Sequence, residues 1–211
     1  MKILIINPNS DENTDNCIRR KAQAFVDGAC QVEVKHIASA PKLIASYEHM
    51  AGELPEMLQI IREEKEYDAF IIACHSDPNL DVLKEVSEKP VVGIAEASMK
   101  IASMYCNGFA ILSPSVKSIP KKWTLAEKYH CGTLYKGAAV CEGDDEESVY
   151  RAACEAVNNY HVDGIVLGCA NYALADSYVE EKLGIPVFEG VACALMVAMG
   201  MVSYERYKRK K

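Results

Sequence analysis

Residues 67–102 read YDAFIIACHSDPNLDVLKEVSEKPVVGIAEASMKIA, and residues 162–198 read VDGIVLGCANYALADSYVEEKLGIPVFEGVACALMVA. The second stretch is a version of the first. Asp68 matches Asp163 and Cys74 matches Cys169 at an offset of 95, Pro90 matches Pro186 at 96, and Ala97 matches Ala194 at 97. Each copy opens on an apolar run suited to a buried strand, places a cysteine in the residue just past it, and resumes at a Pro-Val strand start. The strand upstream of each copy matches as well: ILIINPNS at 3–10 parallels FAILSPSV at 109–116, with Pro8 facing Pro114. Any two strand–helix units share apolar strands. They do not for that reason share a cysteine at the same place. A duplicated chain folds into two similar lobes about an approximate two-fold axis, and equivalent residues then face each other across the cleft between them.

Outward from the repeat, strand and helix signals alternate. Strand patterns occupy Lys2 to Ile6, Gln31 to His36, Ala69 to Ala73, Val91 to Ile94, Phe109 to Leu112, Gly164 to Leu167 and the region of Val187. Helical spacing occupies 13–27, 54–65, 146–160 and 192–204. Such alternation predicts an α/β protein with parallel sheets flanked by helices. The expected division is a first α/β lobe over 1–95, completed by the C-terminal helix 191–211, and a second over 96–190. Ligands of such sheets sit at the carboxyl ends of the strands. The loops after Ile6, Ala73, Leu112 and Gly168 are therefore the places to look for chemistry.

The 211 residues suit one globule or two small lobes. A net charge of -7 argues against broad nucleic-acid binding, which needs a basic surface. The four apolar residues of the N-terminus are too few for a signal-peptide core, and no run reaches membrane-span length, so a cytoplasmic protein without membrane partners is expected. The nine cysteines, an odd number, argue for reduced thiols. No CxxC pair or His-Cys ligand spacing stands among them, so no metal is expected. Nucleotide-binding and serine-hydrolase motifs are absent too.

A cysteine taken alone is more often a packed apolar residue than a catalyst. Two of them facing each other can do something specific. One, as thiolate, removes a proton from one face of a carbon; the other, as thiol, returns a proton to the opposite face. The Asp77-Pro78 pair signals a cap and first turn for the helix after Cys74, which would put the thiol at a positive dipole end and lower its pKa. The amides of His75, Ser76, Ala170 and Asn171 could form an oxyanion hole. Asn7, Asn9, Ser10 and Ser113 offer neutral hydrogen-bonding side chains. No Arg or Lys adjoins either cysteine, and the nearest basic residue downstream of Cys74 is Lys84. A neutral ring is thus expected to suit the pocket better than a dicarboxylate.

The motifs INPNS, ACHSDPNL around Cys74, PVVGIAEASM, VLGCANY around Cys169 and IPVFEGVA together resemble the hydantoin/allantoin racemase branch of the aspartate/glutamate racemase superfamily. The resemblance runs from residue 1 to about 204. It implies two pseudo-symmetric α/β lobes with the active site in the cleft, no cofactor, and Cys74 and Cys169 as acid and base. Substrate contacts then fall on Asn9, Ser10, His75, Ser76, Ser113, Ala170 and Asn171. It implies an isomerase acting on a small molecule, a carbon acid next to a carbonyl such as a hydantoin or allantoin-like cyclic ureide, and a homo-oligomer is expected. Threonine usually follows each cysteine in the amino-acid racemases. Here His75-Ser76 and Ala170-Asn171 do, which favours the cyclic amide. Asn171-Tyr172 and the LSPS strand end at 112–115 depart from the family's usual GCAGM and VTT.

Other chemistries compete. An amino-acid racemase, or a cysteine-dependent decarboxylase or isomerase of the same fold, would use the same scaffold, and one cysteine usually suffices for the latter. A non-catalytic binder would have no use for two reactive thiols. His75 beside Cys74 suggests a Cys-His pair, but adjacent residues rarely align a ring nitrogen on the neighbouring sulfur. Glu96 at a strand end, and Tyr47 and Tyr172 as pocket walls, complete the candidates.

Overall fold

The computed structural model describes residues 1–210. Its first half is a four-stranded parallel sheet built from β1 (Lys2–Asn7), β2 (Gln31–His36), β3 (Ala69–Ile72) and β4 (Val91–Gly93), in the order β2-β1-β3-β4. Its second half repeats that order as β6-β5-β7-β8, from β5 (Phe109–Ser113), β6 (Tyr135–Val140), β7 (Gly164–Leu167) and β8 (Val187–Phe188). Every pairing is parallel. The central strands β3, β5 and β7 are buried at every residue and β1 at every residue but Lys2, as expected of strands covered on both faces. The duplication read from the sequence is thus a duplication of sheets.

The strand β6 gave no sequence signal. Its YKGAAV carries one glycine and two alanines, poor strand formers, and it holds its place by pairing with β5.

Nine helices connect and cover the strands: α1 (Glu12–Val26), α2 (Tyr47–Gly52), α3 (Leu54–Glu63), α4 (Leu80–Val86), α5 (Ile94–Tyr105), α6 (Ile119–Lys128), α7 (Glu146–Tyr160), α8 (Asp176–Leu183) and α9 (Gly190–Lys208), counted among the described residues. Two of them are exchanged. Helix α5 leaves the first sheet and packs on β7 and β8, while α9 leaves the second sheet and packs on α1, β3 and β4. The two also pack on each other. Each helix begins under a carboxylate: Glu189 accepts from the amides of Val191 and Ala192 at 2.8 Å, and Asp77 accepts from Ala95 and Glu96 at 3.1 and 2.7 Å. Buried apolar side chains from both sheets join in one cluster running from Ile3 to Val202.

Candidate active site

The two cysteines occupy the same position relative to their sheets. In β3 the last paired residue is Ile72, opposite Ile6; the Ala73 amide extends the ladder to the Ile6 carbonyl at 2.9 Å, and Cys74 follows. In β7 the last paired residue is Leu167, opposite Leu112; the Gly168 amide reaches the Leu112 carbonyl at 2.8 Å, and Cys169 follows. In each sheet the chain runs to one side of the first strand and then to the other. Both cysteines thus stand at the switch point where parallel sheets bind ligands.

One cleft, with about 550 Å³ of space partly open to solvent, is lined by both. Asn9, His75, Ser76, Ala170 and Asn171 also line it, as the sequence predicts. Ser10 and Ser113 do not. The Ser10 amide donates to the Pro41 carbonyl at 3.3 Å. Ser113 is wholly buried, and its hydroxyl meets the Ser115 carbonyl at 3.1 Å and the Ser118 hydroxyl at 2.5 Å, so Ser118 reaches the cleft in its stead. Tyr47 lines a neighbouring groove, Tyr172 is buried, and Glu96 is held by Lys84 at 2.6 Å.

The expected helix dipole behind Cys74 is not there. Helix α4 starts only at Leu80, and Asp77 takes a left-handed φ of 43°. Its carboxylate caps the more distant α5 instead of the helix that follows it. A Cβ on Gly93 would lie 2.3 Å from the Asp77 carboxyl carbon, so any side chain there would push the capping carboxylate aside. The Tyr129 hydroxyl donates to Asp77 at 2.7 Å, yet burial pushes the acid up to about 6.

Burial likewise pushes the Cys74 thiol up, to about 11, and the Cys169 thiol in the same direction. Three groups oppose this. The backbone amide of Ser76 lowers the Cys74 pKa, that of Asn171 lowers the Cys169 pKa, and the charge of Lys122 favours both thiolates.

Lys122 was not foreseen. It lies in the first turns of α6, far in sequence from both cysteines, and is 2% exposed. Its ammonium donates to the His75 carbonyl at 2.6 Å, the Gly168 carbonyl at 2.8 Å and His75 Nδ1 at 3.0 Å. Lys42 also lines the cleft, so the cation-free pocket expected from sequence neighbours is corrected. Burial, together with the Lys122 charge, depresses the His75 pKa well below the usual value. The ring is neutral, accepts from Lys122 at Nδ1 and faces the Ser98 hydroxyl at 3.3 Å through Nε2. Both nitrogens are engaged away from Cys74, which removes the Cys-His pairing.

Two asparagines complete the walls. Asn9 Oδ1 accepts from Asn7 Nδ2 at 3.0 Å and from the Asp11 amide at 2.9 Å. Asn171 Oδ1 accepts from the Thr14 hydroxyl at 2.7 Å. With each oxygen engaged, the N–H₂ end of each side chain is the end left to meet a ligand. Among the described residues, no three His, Cys, Asp or Glu side chains converge as a metal site would, and no helix is long and apolar enough to cross a membrane.

Comparison with known proteins agrees with this architecture. The sequence profile of the Asp/Glu/Hydantoin racemase family matches residues 3–198. A hydantoin racemase from Pseudomonas sp. (strain NS671) is 32% identical over 216 positions, covering 96% of this chain and 86% of that one. A hydantoin racemase from Paenarthrobacter aurescens is 30% identical, covering 96% and 92%. The allantoin racemase structure from Klebsiella pneumoniae superposes with a TM-score of 0.91 at 24% identity, covering 97% of this chain and 89% of that one. The chain is a racemase-type isomerase and belongs to the Asp/Glu/Hydantoin racemase family.

Proposed function

We propose that the chain racemises a small cyclic ureide of the hydantoin or allantoin type, without a cofactor, using Cys74 and Cys169 as acid and base from opposite faces. The observation that carries this is the equivalent placement of the two thiols, just past the ends of β3 and β7 and on one cleft.

In the forward direction one cysteine is a thiolate and takes the α-proton. The electron pair of the broken C–H bond moves onto the adjacent carbonyl as an enolate. The opposite thiol gives its proton to the other face, and the pair is left with its protonation states exchanged. The reverse reaction starts from that exchanged pair. Burial makes each thiolate scarcer but, once formed, a stronger base toward a weak carbon acid. The Asn9 and Asn171 amide groups are neutral donors suited to the ring's carbonyl oxygens, and uncharged donors already in place cost little to reorganise as charge develops. The hydantoin racemase relatives support this substrate class, and His75 has no part in the proton transfer.

The test is a deuterium-exchange screen in heavy water with hydantoins, allantoin, aspartate and glutamate. A 5-substituted hydantoin or allantoin should exchange its α-proton fastest. Faster exchange of aspartate or glutamate would refute the substrate class, and exchange of none would refute the racemase reading.

A further inference from the structure

A lysine with 2% exposure is costly to the fold, because burial strips its ammonium of water. In this chain the residue before it, Lys121, reaches the Ala45 carbonyl on the surface, while Lys122 turns inward. Its three donors have three acceptors, two of them carbonyls that flank the cysteines: His75 directly follows Cys74 and Gly168 directly precedes Cys169. An apolar residue at 122 would leave both carbonyls without this donor and the thiols without a nearby cation.

We propose that Lys122 is the positioning residue of the thiol pair: its ammonium ties the turn after Cys74 to the turn before Cys169, and its single positive charge offsets the single thiolate that proton transfer requires. This rests on the two-thiol reading above. One cation facing two thiols favours the state in which one is ionised, and serves either direction of reaction equally. Lys122 itself neither gains nor loses a proton in the step. The charged and titratable groups facing it are Cys74, Cys169, Asp77, Lys121 and the neutral His75. Of these, Cys74, Cys169 and the neutral His75 line the cleft, and of the three only the cysteines have a thiol to ionise.

The experiment is iodoacetamide labelling of the full-length protein as a function of pH, with the rate at Cys74 and at Cys169 read separately by peptide mass spectrometry. Lys122→Met removes both tie and charge. Lys122→Gln keeps N–H donors for the carbonyls and removes only the charge. In Lys122→Gln, with an unchanged circular dichroism spectrum, both thiols should react about tenfold more slowly at pH 7.5 and regain their rate about one pH unit higher. Lys122→Met should show at least the same shift. An unshifted profile at either cysteine in Lys122→Gln would overturn the proposal, as would loss of the fold in that variant, which would make Lys122 an ordinary structural residue. Labelling needs no substrate. A wild-type protein that exchanges no ureide proton therefore refutes the proposed function alone, whereas unshifted thiols in an exchanging enzyme refute the role of Lys122 alone.

Discussion

Thr14 and Asn171 stand 157 positions apart in the chain and meet at the cleft, the Thr14 hydroxyl donating to the Asn171 side-chain oxygen at 2.7 Å. This bond joins the helix after β1 to the turn after β7, and so is a second link between the two halves at the cleft, besides Lys122's tie.

Thr14→Val keeps the shape and removes the donor. Thr14 is buried, so the loss should cost about 1 kcal/mol and lower Tm by about 2–4 °C. With Asn171 free to turn, KM for the ureide should rise about fivefold while kcat changes little. A fall in kcat at constant KM would show that the bond orients the thiol and not the ligand.

Glu53 is 3% exposed and neither carboxylate oxygen has a hydrogen-bond partner. Burial pushes its acid up to about 7. The native state therefore holds this proton more tightly than the unfolded chain does. The stability that comes with protonation is complete below the unfolded value of about 4.3 and is lost as pH rises to about 7. Glu53→Gln mimics the protonated form. Its Tm should match wild type at pH 4 and exceed it at pH 8.5, by roughly 2–8 °C for about 1–2 kcal/mol of relieved desolvation. An equal Tm difference at both pH values would contradict the assignment.

Gly168 holds Cys169 against the sheet. A Cβ there would lie 2.2 Å from the Leu112 carbonyl oxygen and 2.7 Å from Ile111 Cγ2. The oxygen belongs to the ladder and cannot move aside cheaply. Gly168→Ala should cost about 2 kcal/mol or more, lower Tm by about 4–8 °C and displace the thiol, with loss of turnover. Gly200→Ala is the control. Its Cβ meets nothing within 4 Å inside α9, and the change should be neutral or stabilise by about 0.5–1 kcal/mol.

The repeat around Cys74 and Cys169 was legible because buried strands and the residue beyond them are local patterns, and a matched pair of local patterns implies matched sheets. The residues that flank the cysteines in sequence reached the cleft for the same reason. What was illegible depends on partners distant in the chain. Asp77 looks like the cap of the next helix, and only the left-handed turn at 77–79 sends it to α5. Lys122 looks like one of several basic residues on an amphipathic helix, and nothing local says that it is the one turned inward. Ser113 sits at a strand end and was placed in the cleft on that ground. It lies instead on a strand buried at every residue, and Ser118, bonded to its hydroxyl, lines the cleft through a contact no periodicity reveals. The thiol pKa moves against the direction a helix dipole would give, because the helix starts only at Leu80 and burial outweighs the amides.

The central claim is that the two thiols serve opposite faces of one carbon, and it is tested most directly by α-deuterium incorporation into each pure enantiomer of a 5-substituted hydantoin with Cys74→Ser and Cys169→Ser. A serine hydroxyl is far weaker as acid and base, so each variant should lose about 10²–10⁴-fold in racemisation, which needs both groups. Exchange needs mainly the base. Each variant should therefore still exchange one enantiomer, and the two should prefer opposite enantiomers, with circular dichroism unchanged. Equal exchange of both enantiomers by both variants, or full racemisation by Cys169→Ser, would contradict the two-thiol account.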